Sequence, residues 1–383
     1  MIRVDKNKLA IFGVSFHAQK CLYKLNRDGK DIDCYFDNNL YGETYRGKTV
    51  LKPTQKNVDG KFILVAVSEK YYQTIRKQLI EMGLIEFKDF MYYTLLNKKI
   101  AIMYGNCHIE IMKSFLQSSK EFMKRYAFYP MPVIMEMNSS MMTKEVLENC
   151  DLFLAQDIRR ENPYGEEFSV DIIINKLSSK CVLHIIPNLF KLGGLYFPQY
   201  RYDFNNCNND SAYIEGRWDL FGFFPFKDSI IDCLVEMGMD AESIISKCTS
   251  GKNFTIQEIE KCKEECINKI RKREDKWDIK CADFIEKNYK EHRLFYEPEH
   301  PTNFLFRYIC KEMLALLNIY EDIHTDNNLG NYETPIYPEV KAYLGLNFDV
   351  EKVRSENDSR SLGSVTSYEE YIMQYLWWRH KKG

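Results

Sequence analysis

Residues 100–112 read Ile-Ala-Ile-Met-Tyr-Gly-Asn-Cys-His-Ile-Glu-Ile-Met, and the apolar spacing continues through Phe115 and Leu116. The first five predict an apolar strand. Ile109, Ile111, Met112, Phe115 and Leu116 recur at helical spacing, so Gly105-Asn106-Cys107-His108 is the turn from strand into helix. A cysteine there meets the positive end of a helix dipole, which favours its thiolate. Backbone N–H groups and the Asn106 carboxamide are candidate donors to an oxyanion. A buried cysteine in an ordinary turn is the competing reading. His108 is a poor base for Cys107, because adjacent residues at a helix start point about 100° apart.

Toward the N-terminus the same alternation repeats. Leu9-Ala10-Ile11-Phe12 runs into Gly13, a helix carries Cys21, Leu22 and Leu25, and Asp31 to Asp37 forms a second strand ending on an acid. Phe62 to Val67 is a third strand, followed by a helix over Tyr71–Met82 that Gly83 stops. Residues 1–97 therefore read as a small Rossmann-like parallel-sheet domain. Gly13 and Asp37 are its candidate nucleotide-sugar contacts, although a dinucleotide fingerprint would carry three glycines. The other reading has Gly13 making a tight turn and Asp37 capping the turn that follows. Gly42-Glu43-Thr44-Tyr45-Arg46-Gly47-Lys48 has phosphate-loop spacing without the strand and helix such a loop needs, and is rejected as one.

Toward the C-terminus, Phe295 to Asn303 precedes a helix over Phe304–Leu317, and Pro301 suits its first turn. His300 then lies in the loop, with Glu297 three residues upstream to orient the imidazole; a helix-capping or packing histidine is the competing reading. Cys107, His300 and Glu297 are the parts of a nucleophile–base–acid triad. Gln156 and Asp157 end the apolar run Leu152-Phe153-Leu154, and Asn188 follows the strand Val182–Ile186 as a second candidate oxyanion donor. Gly193-Gly194 with Tyr196, Phe197 and Tyr200 reads either as a flexible aromatic loop for a sugar or adenine ring, or as core. Residues 253–293 form a solvated helical face of paired Lys and Glu. Thr366–Lys382 is a last amphipathic helix.

Lys+Arg (53) nearly balance Asp+Glu (55), which excludes a global field for nucleic acid. Residues 1–97 carry +5 and the remainder −7. No run is long and apolar enough to span a bilayer, and the start lacks a signal-peptide pattern. The expectation is a cytoplasmic protein, with the aromatic-basic end Trp377–Lys382 as the candidate contact with the inner membrane. Twelve scattered cysteines without paired CxxC units predict reduced thiols and no metal site.

Gly105-Asn106-Cys107 and Glu297-x-x-His300 resemble the "GDS" and "DxxH" of SGNH/GDSL hydrolases and acyltransferases, each one chemical step away. A closer resemblance spans residues 98–345. GNCH, CDLFLAQDIR, IIPNLFKLGGLYFPQ, FGFFPFKD and EHPTNFLF occur in the order seen in the WcbI family of polysaccharide-biosynthesis proteins. The first domain resembles those preceding transferase modules in surface-polysaccharide enzymes.

The resemblance implies an acetyl-CoA-dependent O-acetyltransferase acting on a sugar or glycan acceptor in capsule assembly. An SGNH-like carbohydrate esterase and a non-catalytic CoA- or nucleotide-sugar-binding protein are the alternatives. With coenzyme A implied, Gly105, His108, Gln156 and Asn188 are its candidate contacts, and Arg159 and Arg160 read either as partners of its phosphates or as a solvated loop; the lysines of 253–293 would border the same phosphates. The expected architecture is α/β throughout: a Rossmann-like domain (1–97), a larger, helix-rich SGNH-like domain (98–320), and a tail (321–383) whose last helix packs on the second domain.

Overall fold

The computed structural model describes residues 9–200, 228–330, 333–350, 352–355 and 364–382. The chain divides into two compact units, Met1–Ile186 and Pro187–Gly383.

The first unit holds two α/β sheets. Strands β1 (Leu9–Phe12), β2 (Cys34–Phe36), β3 (Thr44–Tyr45), β4 (Lys48–Leu51), β5 (Phe62–Val65) and β6 (Phe90–Tyr92) lie in the order β3-β4-β2-β1-β5-β6. All pairings are parallel except β3 with β4. Ala10 faces Cys34 on one side and Ile63 on the other, and all of β1 is buried. Helix α1 (Phe16–Arg27) turns Ala18, Cys21 and Leu25 inward. The short helix α2 (Gln55–Val58) precedes β5, and α3 (Glu69–Glu81) follows it.

Gly13 makes the turn out of β1 at φ 109°, and its N–H donates to the Phe36 carbonyl at 2.7 Å. A Cβ there would lie 2.8 Å from the Ala66 carbonyl oxygen, so only glycine fits. The Asp37 carboxylate accepts from the N–H of Asn39 (2.9 Å) and Leu40 (3.1 Å), which is the turn-capping reading. The stretch with phosphate-loop spacing is a hairpin, β3 to β4, closed by Arg46 (φ 48°) and Gly47 (φ 79°). Two positive-φ residues suit a tight hairpin turn.

The second sheet is wholly parallel, with β7 (Lys99–Tyr104), β8 (Tyr126–Phe128), β9 (Leu152–Gln156) and β10 (Val182–Ile186) in the order β10-β9-β7-β8. Helix α4 (His108–Ser118) follows β7. The expected boundary at residue 97 falls between the sheets, yet they share one apolar core running from Leu9 to Ile173. Glu86 is buried where they meet. It takes the Arg76 Nε–H at 2.6 Å and the Tyr129 hydroxyl at 3.0 Å, and it also accepts from Tyr72.

The second unit is mainly helical, with helices Ser229–Glu236, Ala241–Thr249, Ile256–Glu274, Ala282–Asn288, Asn303–Leu316, Pro338–Leu344 and Tyr368–Lys382. An antiparallel pair, β11 (Lys352–Ser355) and β12 (Ser364–Ser367), precedes the last of them. That helix begins at Tyr368 rather than Thr366, because residues 364–367 pair with β11. It buries Tyr371, Ile372 and Tyr375, and the Tyr375 hydroxyl donates to Asp232 at 3.0 Å. The charged helical face breaks after Glu274, whose carboxylate takes the N–H of Cys281 and of Ala282 and starts a new helix. No helix among the described residues is long and apolar enough to cross a membrane. Residues 221–227 of the FGFFPFKD stretch lie outside the described residues.

Candidate functional site

Cys107 stands at the N-cap of α4 in the turn after β7, half-buried and reduced. Neighbouring strand β9 holds this turn through its last residue. Gln156 is fully buried, and its carboxamide oxygen accepts the Asn106 N–H at 2.9 Å. Gly105 leaves the space that carboxamide fills, since a Cβ at 105 would collide with it. The Asn106 side-chain oxygen takes the His108 N–H at 3.1 Å. Two of the N–H groups expected to serve an oxyanion therefore hold the turn itself. Donation by Asn106 to a ligand falls to its NH2 end. His108 is fully buried in the first turn of α4, and Gln156 acts as the brace of the turn.

The arginines after β9 are on the surface. Arg160 is gripped by Asp171 (2.7 Å) and Glu166 (3.0 Å), and Arg159 lies 4.0 Å from Asp157. Both guanidiniums already face carboxylates.

Glu297, His300 and Asn188 belong to the second unit. Loop 295–301 folds back on itself: Phe295 bridges Pro301, and the Tyr296 N–H donates to the His300 carbonyl at 2.9 Å. This puts Pro301 in the bridge, and the helix starts at Asn303 behind the Thr302 cap. Inside the fold-back, buried Glu297 places Oε1 2.5 Å from His300 Nδ1, while its Oε2 accepts the Glu299 N–H at 2.7 Å. The imidazole is 29% exposed and the Glu297 side chain 3%. A buried carboxylate thus orients an imidazole that solvent can reach. Arg293 buttresses the loop, donating to the carbonyls of Phe295 (3.0 Å), Tyr296 (2.8 Å) and Thr334 (2.6 Å).

Two groups here escaped the sequence reading. Burial, reinforced by the neighbouring Glu297 charge, raises the Glu299 carboxyl to about 7, and Lys191 lies 3.9 Å from it. The run Glu-Pro-Glu-His carried the signal for Glu299; nothing local pointed to Lys191. Gly193 is a close-packing position, not a flexible one. A Cβ there would sit 2.8 Å from the carbonyl oxygens of both Glu297 and Pro298. Tyr196, Phe197 and Tyr200 are core residues, and the Tyr196 hydroxyl donates to the Tyr289 carbonyl at 2.9 Å. The Asn188 side-chain oxygen takes the Phe190 N–H at 3.2 Å, so that oxygen shapes its own loop.

Comparison with known proteins follows the same region. The sequence model of a family described as polysaccharide biosynthesis enzyme WcbI matches residues 100–322. No curated protein sequence matches the chain. One solved structure aligns with a TM-score of 0.58 at 22% identity, covering 74% of this chain and 91% of its own. It is described as WcbI, a novel polysaccharide biosynthesis enzyme, as native protein without a disulfide bond between coenzyme A and its cysteine at position 14. At that identity the likeness shows a shared α/β fold.

Proposed function

This chain belongs to the WcbI family of polysaccharide biosynthesis enzymes, and we propose that it transfers an acetyl group from acetyl-CoA to a sugar hydroxyl of a surface polysaccharide. The observation that carries this reading is the Glu297–His300 pair. A carboxylate at Nδ1 leaves Nε2 as the basic atom of the imidazole. His300 takes the hydroxyl proton as the sugar oxygen attacks the thioester carbonyl. The C–S bond breaks, and the imidazolium returns the proton to the departing thiolate. Glu297 holds the ring and stabilises its charged form.

Cys107 is the thiol we assign to coenzyme A. It is the first cysteine of the family-matched region, and the solved relative is described as without a disulfide bond between coenzyme A and one of its cysteines. Its place at a helix start fits a thiol or an anion. The carboxylate-bound Arg159 and Arg160 fit the phosphates less well, and no phosphate is assigned to them.

Thermal-shift titration decides the cofactor. Coenzyme A and acetyl-CoA at 100 times Kd stabilise the protein by about 2.7 kcal/mol, whereas a UDP-sugar alone does not. No shift with either would overturn the proposal. In a transfer assay His300→Ala loses roughly 10²–10⁴-fold of the rate with the fold intact.

A further inference from the structure

Strands β9 and β10 run side by side at one edge of the second sheet, and each is preceded by a cysteine. Their first rung pairs Leu152 with Val182, and the Val182 N–H donates to the Asp151 carbonyl at 2.9 Å. Cys181 therefore stands one residue before that rung and Cys150 two. Both sulfurs turn to the rung itself. Cys150 Sγ lies 3.2 Å from the Leu152 carbonyl oxygen, and Cys181 Sγ 3.6 Å from that of Val182. The two thiols meet there in a hydrogen bond, and neither is in a disulfide.

The two thiols are unequal. Cys150 is buried in the core that both sheets share, whereas Cys181 is half-buried at its margin. Burial pushes the Cys150 thiol up, so its proton stays on. The hydrogen bond with Cys150 lowers the Cys181 thiol, against burial and the charge of Asp151. A reachable, acidified thiol beside a buried, protonated one is the arrangement of an attacking and a resolving cysteine. Sulfurs already in contact need little backbone movement to bond.

We propose that Cys150 and Cys181 are a reversible redox pair, oxidised to an intramolecular disulfide by a low-molecular-weight disulfide. Cys181 gives its proton to solvent, and its thiolate attacks one sulfur of that molecule. A mixed disulfide forms, the S–S bond of the small molecule breaks, and its first half leaves as a thiolate that solvent protonates. The Cys150 sulfur then attacks that of Cys181, the mixed disulfide breaks, and the Cys150 proton goes to the second departing thiolate. Two protein thiols have lost two electrons, and the small disulfide has become two thiols. The bridge closes residues 150–181 and staples β10, an edge strand whose ladder partner is β9, to its neighbour.

The test equilibrates the intact protein with glutathione disulfide, blocks the remaining thiols with N-ethylmaleimide and maps the digested peptides by mass. A peptide pair joined through Cys150 and Cys181 is expected, and dithiothreitol restores both thiols. The oxidised protein melts about 5 °C higher than the reduced one. In the reduced protein Cys181 is alkylated about tenfold or more faster than Cys150. Cys150→Ala halts with glutathione on Cys181, and Cys181→Ser, at the half-buried position, leaves Cys150 unmodified should the core variant fail to fold. A Cys181 that stays unmodified, that keeps its glutathione in the unaltered protein, or that links to another cysteine overturns the proposal.

Discussion

Gly193 shows how little freedom the 295–301 loop has. An alanine methyl would press on two carbonyl oxygens, both in the segment that aims Glu297 at His300. The Pro298 carbonyl already accepts the Gly193 N–H at 2.8 Å, so it cannot step aside without loss of that bond. Gly193→Ala is therefore expected to cost about 1–3 kcal/mol in chemical denaturation and to lower the transfer rate more than it changes KM. A change in stability alone would separate this loop from catalysis. The turn that carries Cys107 and the contact of Glu297 with His300 were legible in the sequence because their signals are local: a strand-to-helix turn, and a proline-bounded loop before a helix. The brace of the thiol turn was not. Gln156 comes fifty residues after Asn106, and only the pairing of β7 with β9 brings its side chain across.

The long helix Ile256–Glu274 carries its own start signal. Thr255 and Glu258 form a reciprocal cap, each side chain accepting from the other's backbone N–H. Thr255→Ala should cost about 1 kcal/mol, read as a shift in the denaturation midpoint without a change in slope. Elements of this kind announce themselves through periodicity and caps, and so do β1, β5, β7, α1 and α4. The short strands β6 and β8, at three residues each, have no period to detect. They are strands because a longer neighbour offers them an edge. The β11–β12 pair escaped notice for the same reason, and it moved the expected start of the last helix.

At the scale of the whole molecule, the two sheets of the first unit stand or fall together. Arg76 and Glu86 are both buried, and Arg76 also donates to the Ser140 carbonyl at 3.0 Å. Removing one partner strands a charge in the core. Arg76→Met is expected to destabilise the protein by about 3–5 kcal/mol, and a double Arg76→Met/Glu86→Leu variant by clearly less. The alternation of strands and helices made both sheets readable, but the continuity of their core was not. Apolar strand faces look alike whether they close one domain or meet another, and residue 97 marks a change of sheet without a change of core.

In the second sheet, and in the first apart from the β3–β4 hairpin, the earliest strand lies inside and later ones are added outward. The ladder grows from β1 through β2, β4 and β3 on one side, and through β5 and β6 on the other. In the second sheet β8 flanks β7 on one side while β9 and then β10 extend it on the other. A chain emerging from the ribosome can therefore lay each strand of the second sheet against a free edge, without prising apart a ladder that has already formed. Each new segment meets a template already exported, and assembly can keep pace with translation.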